Sequence, residues 1–452
     1  MVNFNEEDYK IKDTDAHKRL LNLFDEGSFS EIDAYAKSGE GAVEVAAGFG
    51  SVLGTPVFAF SQDVSVDGGA ISKAQCAKIK KLYDLASKTG TPVIGIYDSN
   101  GVRLNEGLDT LTEYGELLKL SNTISGVVPQ ISVIVGACVG TSAMIAAAAD
   151  IVIVAKDADF YLSAPNKISA EDCLNSGVAS LGAASAEEAL ELAKKVVSIL
   201  PVNNLSAAPL SDFSEDSSFL SGDCASIKAD AASVVKAVSD MNSCIELSEK
   251  FGQAVKTTLA TVAGNTVGFI AFHGQNIDSD SCDKATRFIR LCDAFSLPVI
   301  TLVDTEGFDR SEDAQKAGIL RQASKLTSAY AEATTVKISL IIGNAIGSSY
   351  ISLAGHGSNA DLVYAWKCAV VSALEPESAV AFLMGDRLAK GENRAALVEE
   401  YAAKEASPLN AAALGLIDDV FSPDRTREKL ISALDMLAGK RVSTLPKKHS
   451  VI

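Results

Sequence analysis

Short, uncharged runs rich in β-branched residues alternate along this chain with longer stretches of helical spacing. TPVIGIYDSNG from Thr91, ISVIVGACVGTSA from Ile131 and DIVIVA from Asp150 each carry a strand-length apolar run, the signature of strands buried on both faces. Between such runs, KAQCAKIKKLYDLASK from Lys73 spaces its apolar residues three and four apart, as a helix packed on a sheet requires. The uncharged stretch from Ile131 to Asp150 is long enough to suggest a membrane span. Its β-branched start, Gly-Ser-Thr middle, Ala-rich end and closing Asp predict instead a buried strand, a turn and a buried helix.

The pattern then repeats. TPVIGIYDSNG returns as LPVITLVDTEG, with Pro92 and Asp98 matched by Pro298 and Asp304 at one offset of 206. ISVIVGACVGTSA returns as ISLIIGNAIGSSY, which sets Ile131, Gly136 and Gly140 over Ile338, Gly343 and Gly347 at an offset of 207. DIVIVA is matched by DLVYAW from Asp361, and the helical stretch by SCDKATRFIRLCDAFS from Ser281. Each copy reads strand, helix, strand, loop, helix, strand, Gly turn, helix, strand, the alternation of βαβ crossovers. Two homologous α/β domains follow, at 1–202 and 227–452. The Ser- and Asp-rich stretch 203–226, which has no sustained period, is the expected linker.

Composition narrows the chemistry. A net charge of -18 repels nucleic acid and anionic bilayers over most of the surface. The eight cysteines show no CxxC pairing and read as small core residues in a reducing cytosol. None of the four His has zinc-ligand spacing to another His or Cys, so no metal site is expected. The N-terminal MVNFNEEDYKIKD lacks the basic and apolar segments of a signal peptide, and a cytoplasmic protein is expected. No Ser-His-Asp or Cys-His arrangement is recognisable.

What remains are the two Gly turns. VGACVGTSA and IGNAIGSSY both run from a strand into a helix through small residues, where a ligand can approach the main chain and meet the free N–H groups of a first helical turn. Such donors would stabilise an oxyanion, for example a thioester carbonyl becoming an enolate. Small residues also simply allow a helix to pack closely on a strand, and duplication copies a structural turn as readily as a site.

These motifs, together with VFAFSQDVSVDGGAIS, DSNGVRLNEGLDTLTEYGELL, DKATRFIRLCDAFSLPVITLVDTEGF, SAYAEATTVKISLIIG and a C-terminal LPKKHSVI, resemble the acyl-CoA carboxyltransferase family over nearly the whole chain. That family comprises the β-type subunits of propionyl-CoA and acetyl-CoA carboxylases and the α-type subunits of methylmalonyl-CoA and glutaconyl-CoA decarboxylases. The resemblance implies two tandem ClpP/crotonase-like (ββα superhelix) domains, an acyl-CoA side in the first and a biotin side in the second. It implies transfer of a carboxyl group between carboxybiotin and the α-carbon of a small acyl-CoA.

By position, Gly140 and Thr141 would hold the acyl-CoA enolate, and Ser348 and Ser349 the biotin ureido oxygen. Gly101, Val102, Arg103 and Gly347 would be cofactor-binding, with Arg103 able to contact coenzyme A, and Tyr350 would line the acyl pocket; an internal pair is the favoured reading for Arg103 with Glu106, and a core aromatic for Tyr350. No Met is followed by Lys, so the biotin would arrive on a carrier protein in trans. The partners implied are biotin carboxyl carrier protein with biotin carboxylase or a membrane decarboxylase subunit, and further copies of this chain as a dimer or hexamer. Departures include Thr141, Ser348 and Ser349 where Gly, Gly and Ala are usual, Asn100 where Gly is usual, and Glu306 before Gly307-Phe308 where Pro is usual. Two other readings stay open at this point: a non-catalytic scaffold subunit of such a complex, and a crotonase-type hydratase or isomerase.

Overall fold

The computed structural model describes residues 14–39, 41–163, 168–213, 220, 224 and 230–443. The N-terminal MVNFNEEDYKIKD and C-terminal LPKKHSVI lie outside them, as does much of the expected linker. The chain divides into two compact units, Met1–Pro209 and Leu210–Ile452. The start of 203–226 packs within the first unit, where Asn203 Nδ2 donates to Gly90 O (2.8 Å) and Asn204 N–H to Val127 O (2.9 Å). Within the second unit, Ser211 N–H donates to Gly264 O (2.9 Å).

The first unit opens with α1 (Asp15–Leu23) and contains strands β1 (Ser30–Glu31), β2 (Val45–Val52), β3 (Thr55–Gln62), β4 (Val93–Ser99), β5 (Gln130–Val139), β6 (Ile151–Ala155), β7 (Asp159–Tyr161) and β8 (Leu181–Ala183). They form one sheet in the order β1-β2-β3-β4-β5-β6-β8, with β7 paired to the end of β5. The pairs β1/β2 and β2/β3 are antiparallel and all later pairs parallel. The helices are α2 (Lys73–Thr89), α3 (Asp109–Thr123), α4 (Thr141–Ala147), α5 (Ala170–Asn175) and α6 (Ala186–Ile199).

Local rules account for these elements. Ser72 caps α2 by accepting from Gln75 N, and Gly90, left-handed at φ 64°, ends it. Cys76, Ile79, Leu82, Tyr83 and Ala86 on its buried face join Phe60, Tyr97, Ile134 and Val152 in one core. All seven residues of β4 and all five of β6 are buried, as parallel strands covered on both faces should be.

The second unit repeats the plan. Its strands are β9 (Ile245–Leu247), β10 (Val255–Val262), β11 (Asn265–Phe272), β12 (Gln275–Ile277), β13 (Val299–Val303), β14 (Thr305–Phe308), β15 (Lys337–Ile341), β16 (Asn344–Ile346), β17 (Leu362–Trp366), β18 (Val370–Ser372) and β19 (Asp419–Phe421). The main sheet runs β9-β10-β11-β13-β15-β17-β19, while β12/β14 and β16/β18 form two small parallel sheets. The helices are α7 (Ala231–Val238), α8 (Ser279–Ala294), α9 (Glu312–Ala317), α10 (Ile319–Glu332), α11 (Pro376–Leu383), α12 (Gly385–Ala389), α13 (Arg394–Lys404), α14 (Pro408–Ala413) and α15 (Thr426–Leu437). Trp366, fully buried, donates its indole N–H to Thr426 Oγ1 (3.0 Å), a structural role.

One expectation fails here. Cys224 and Cys368 form a disulfide across a sequence separation of 144, whereas the spacing of the cysteines suggested only free core thiols. Proximity across that distance is made by the fold and leaves no mark on local spacing. Of the six free cysteines, Cys76, Cys138, Cys173, Cys282 and Cys292 are buried and Cys244 is half-buried. No helix among the described residues is long and apolar enough to cross a membrane; the uncharged stretch from Ile131 is strand β5, a turn and α4, as predicted.

Candidate active site

Each unit carries the same strand-to-helix turn. Gly136 and Gly343 lie so close to the buried Asp98 and Asp304 that a Cβ at either position would collide with the carboxylate. Four residues later the chain turns at Gly140 (φ 67°) and Gly347 (φ 54°), a region that L side chains rarely adopt.

The donors differ from the expected set. Gly140 N–H donates to Tyr161 O (3.2 Å), and Gly347 N–H to Ser372 O (2.8 Å), because β7 and β18 arrive parallel beside the turn in both units. These two amides are therefore occupied. Free donors begin at the next residue: Thr141 N–H begins α4 and Ser348 N–H begins the matching helical turn, and neither has a partner among the described residues. Ser349 N–H likewise has no partner among the described residues, while its fully buried hydroxyl accepts from Ile346 N–H (3.0 Å) and donates to Ile346 O (2.8 Å), so its side chain pins the turn. After it, the C-terminal turn widens, with Gly355 N–H on Tyr350 O (2.8 Å). Tyr350 is half-buried, its hydroxyl donates to Leu416 O (2.8 Å), and burial raises its pKa.

The loops after β4 and β13, at the ends of the repeated TPVIGIYDSNG and LPVITLVDTEG, form a second matched pair. Ser99 Oγ donates to Gly69 O (2.6 Å) and accepts from Gly101 N–H (3.2 Å). Thr305 Oγ1 donates to Gln275 O (2.7 Å) and accepts from Gly307 N–H (3.1 Å). Ile71 bridges Val102 in parallel, and Ile277 pairs Phe308 in the same sense. In the first bridge Gly101 O and Arg103 N–H take both bonds, which leaves Val102 N–H facing away without a partner among the described residues. A Cβ on Gly101 would lie 3.3 Å from Val139 Cγ2, so this loop adjoins the β5–α4 turn. Val102 and Thr141 thus bring two unoccupied main-chain donors to one region.

Arg103 does not face a ligand. Its guanidinium pairs with Glu44, which is fully buried, and with Asp67, and donates to Ser38 Oγ (2.6 Å), with Glu106 at 3.8 Å. Glu44 Oε2 also accepts from Ser72 Oγ (2.7 Å), which ties the loop to the start of α2. Arg103 is therefore a loop anchor, the internal pairing favoured for it over coenzyme A contact.

In the second unit Gly347 and Ser348 open into a cavity of about 600 Å³, whose walls include Phe308, Arg310, Ile319, Thr327, Ser352 and Glu375. In the first unit a mostly apolar cavity of about 720 Å³ runs along α4, past Met144, Phe160, Leu162 and Val178.

Two mainly parallel-sheet units, each offering a main-chain donor at a strand-to-helix turn, define a crotonase-like carboxyltransferase fold. A carboxyl transferase domain model matches residues 13–452, and the chain belongs to that family. It is 34% identical over 477 residues to the methylmalonyl-CoA decarboxylase subunit alpha of Veillonella parvula, covering 97% of this chain and 92% of that one. To the methylmalonyl-CoA carboxyltransferase 12S subunit of Propionibacterium freudenreichii subsp. shermanii it is 33% identical over 475 residues, covering 96% and 90%. A crystal structure of the transcarboxylase 12S hexamer, with methylmalonyl-coenzyme A and methylmalonic acid bound, superposes with a TM-score of 0.91 at 33% identity, covering 96% of this chain and 91% of that one. The chain is an enzyme, a carboxyltransferase subunit of a biotin-dependent carboxylase or decarboxylase, in preference to a hydratase or a scaffold.

Proposed function

We propose that this enzyme moves a carboxyl group between carboxybiotin and the α-carbon of a small acyl-CoA such as methylmalonyl-CoA, using main-chain donors in both units. The N-terminal domain (1–202) serves as the acyl-CoA side, the C-terminal domain (227–452) as the biotin side, and 203–226 links them. Matched, unoccupied amides at Thr141 and Ser348, one residue past each left-handed glycine, are the observation that carries this reading.

On the acyl-CoA side, Thr141 N–H, with Val102 N–H beside it, holds the thioester oxygen as it gains charge on forming the enolate. Gly140 sets that turn and Gly101 the neighbouring loop. On the biotin side, Ser348 N–H holds the ureido oxygen, which stabilises the biotin enolate left when carbon dioxide departs; Gly347 and Tyr350 shape the turn. Biotin comes on a carrier protein in trans, which suits a group that must visit a second station, biotin carboxylase or a membrane decarboxylase subunit, to be charged or discharged. A coenzyme A substrate fits work in the cytoplasm. The hexamer of the transcarboxylase 12S relative supports assembly of this chain as a dimer or hexamer.

The test is carboxyl transfer to free biotin from malonyl-, methylmalonyl- and glutaconyl-CoA. Turnover with at least one of them, absent without biotin, is expected. No transfer from any of the three, and none after addition of a biotinylated carrier domain, would overturn the reading.

A further inference from the structure

The cavity below Ser348 has an uneven charge. Three carboxylates, Glu306, Asp309 and Glu375, line it, and Arg310 is the one cation among its described lining residues. A carboxylated donor entering past carboxylates alone would be repelled, so this cation sets whether an anionic ligand is admitted.

The main chain and side chain of Arg310 are held in opposite ways. Its main chain is held by Gln315 Nε2, which donates to Arg310 O (2.9 Å), and by its fixed neighbours: Asp309 N–H donates to Ile277 O (3.0 Å), and Asp309 Oδ1 accepts from Ser311 N–H (2.9 Å). Among the described residues its guanidinium has a single carboxylate partner, Glu375 Oε1 at 2.9 Å, and the two side chains are 71% and 39% exposed. An ion pair that open to water contributes little net stability, so exchanging one carboxylate for another costs little. The planar fork of Arg also suits bidentate capture of a carboxylate.

We infer that Arg310 exchanges Glu375 for the carboxylate of the N-carboxylated cyclic urea of carboxybiotin, and so selects the carboxylated over the uncarboxylated form. The inference rests on the biotin-side reading of this cavity. An exchangeable cation fits the chemistry better than a fixed one. A cation that kept its grip on the carboxylate would stabilise the ground state and oppose loss of carbon dioxide, whereas the competing Glu375 can reclaim Arg310 as the carboxyl group leaves. Arg310 is thus a capture residue and Glu375 its release partner.

Titration calorimetry on the full chain tests this with two probes, biotin methyl ester and its N-carboxylated form, which differ by one charge. Arg310→Gln is expected to weaken the carboxylated ester about tenfold and to leave the uncarboxylated ester unchanged. Glu375→Gln is expected to tighten the carboxylated ester a few-fold. Lys316→Gln, which removes an exposed cation paired with Glu312 on α9, should alter neither. Equal weakening of both esters by Arg310→Gln, no effect on either, or an unchanged affinity in Glu375→Gln would overturn the exchange while leaving the site reading intact. Binding of neither ester by the unmodified chain would overturn the site reading, and the exchange with it.

Discussion

Residues 103 and 309 occupy the same place in the two units: each donates its N–H to the bridging isoleucine, Ile71 or Ile277, at 3.0 Å. In the first unit the position is Arg103, paired with the fully buried Glu44. In the second it is Asp309, half-buried, whose carboxylate holds the N–H of Ser311 and no other partner among the described residues. A similar divergence separates Lys78 from Lys284. Lys78 pairs with Glu31 at 2.9 Å, whereas the matching Glu246 turns to Lys256 at 3.0 Å and Lys284 is left with the carbonyls of Phe251 and Val255. The duplicated backbone has been kept and the ionic wiring replaced. At this loop the first unit buries compensated charge, and the second leaves charge at a rim.

The largest contrast is expected from Arg103→Ala and Asp309→Ala. Removing Arg103 strands Glu44 in the core and should cost about 3 to 5 kcal/mol of stability, read by chemical denaturation. Asp309→Ala should stay within about 0.5 kcal/mol, and equal losses would erase the distinction. Next come the donors. Thr141→Pro and Ser348→Pro remove the N–H at a first helical position that tolerates proline, and each should lower transfer about 10²- to 10³-fold. Thr141→Ala and Ser348→Ala keep the N–H and should stay near the parent rate. Exchange of the acyl-CoA α-proton with solvent should be lost with Thr141→Pro and survive Ser348→Pro, which separates the two units.

A smaller effect concerns pH. Burial holds Lys284 and Lys337, both in the second unit, down to about 8, against 10.5 for a free lysine. Between those values the unfolded chain carries lysine protons that the folded unit lacks, so stability should rise with pH from about 8 to about 9, above which the buried thiols of Cys76, Cys138, Cys282 and Cys292, held protonated by burial, oppose the rise. Each lysine contributes at most about 1.4 kcal/mol per pH unit. Lys284→Met should flatten this rise, and a slope unchanged in the variant would reject its origin. The smallest is Ser349→Ala, which removes the two bonds pinning Ile346 and should cost about 1 kcal/mol.

The strands, the helices and the duplication were legible because each is written in local periodicity, and the offsets of 206 and 207 survive in the fold as matched turns. The turn at Gly140 was legible for the same reason. Which amide stays free was not, because it depends on β7, some twenty residues further on, delivering Tyr161 O to Gly140. The anchoring of Arg103 depends on Glu44, 59 residues upstream, and the Cys224–Cys368 bond on a separation of 144. Partners that distant leave no periodic trace, so charge pairing is the layer a single sequence hides best.

A donor that belongs to the main chain is inherited with every amino acid except proline. Thr141 and Ser348 can therefore drift through most of the genetic code without silencing the group each presents, while Gly140 and Gly347, bound to a left-handed turn, cannot. Heredity is thus concentrated in residues with no side chain at all. After a duplication, two copies can lose almost every shared functional group, acquire separate ligands, and still pass on the same apparatus for holding a negatively charged oxygen.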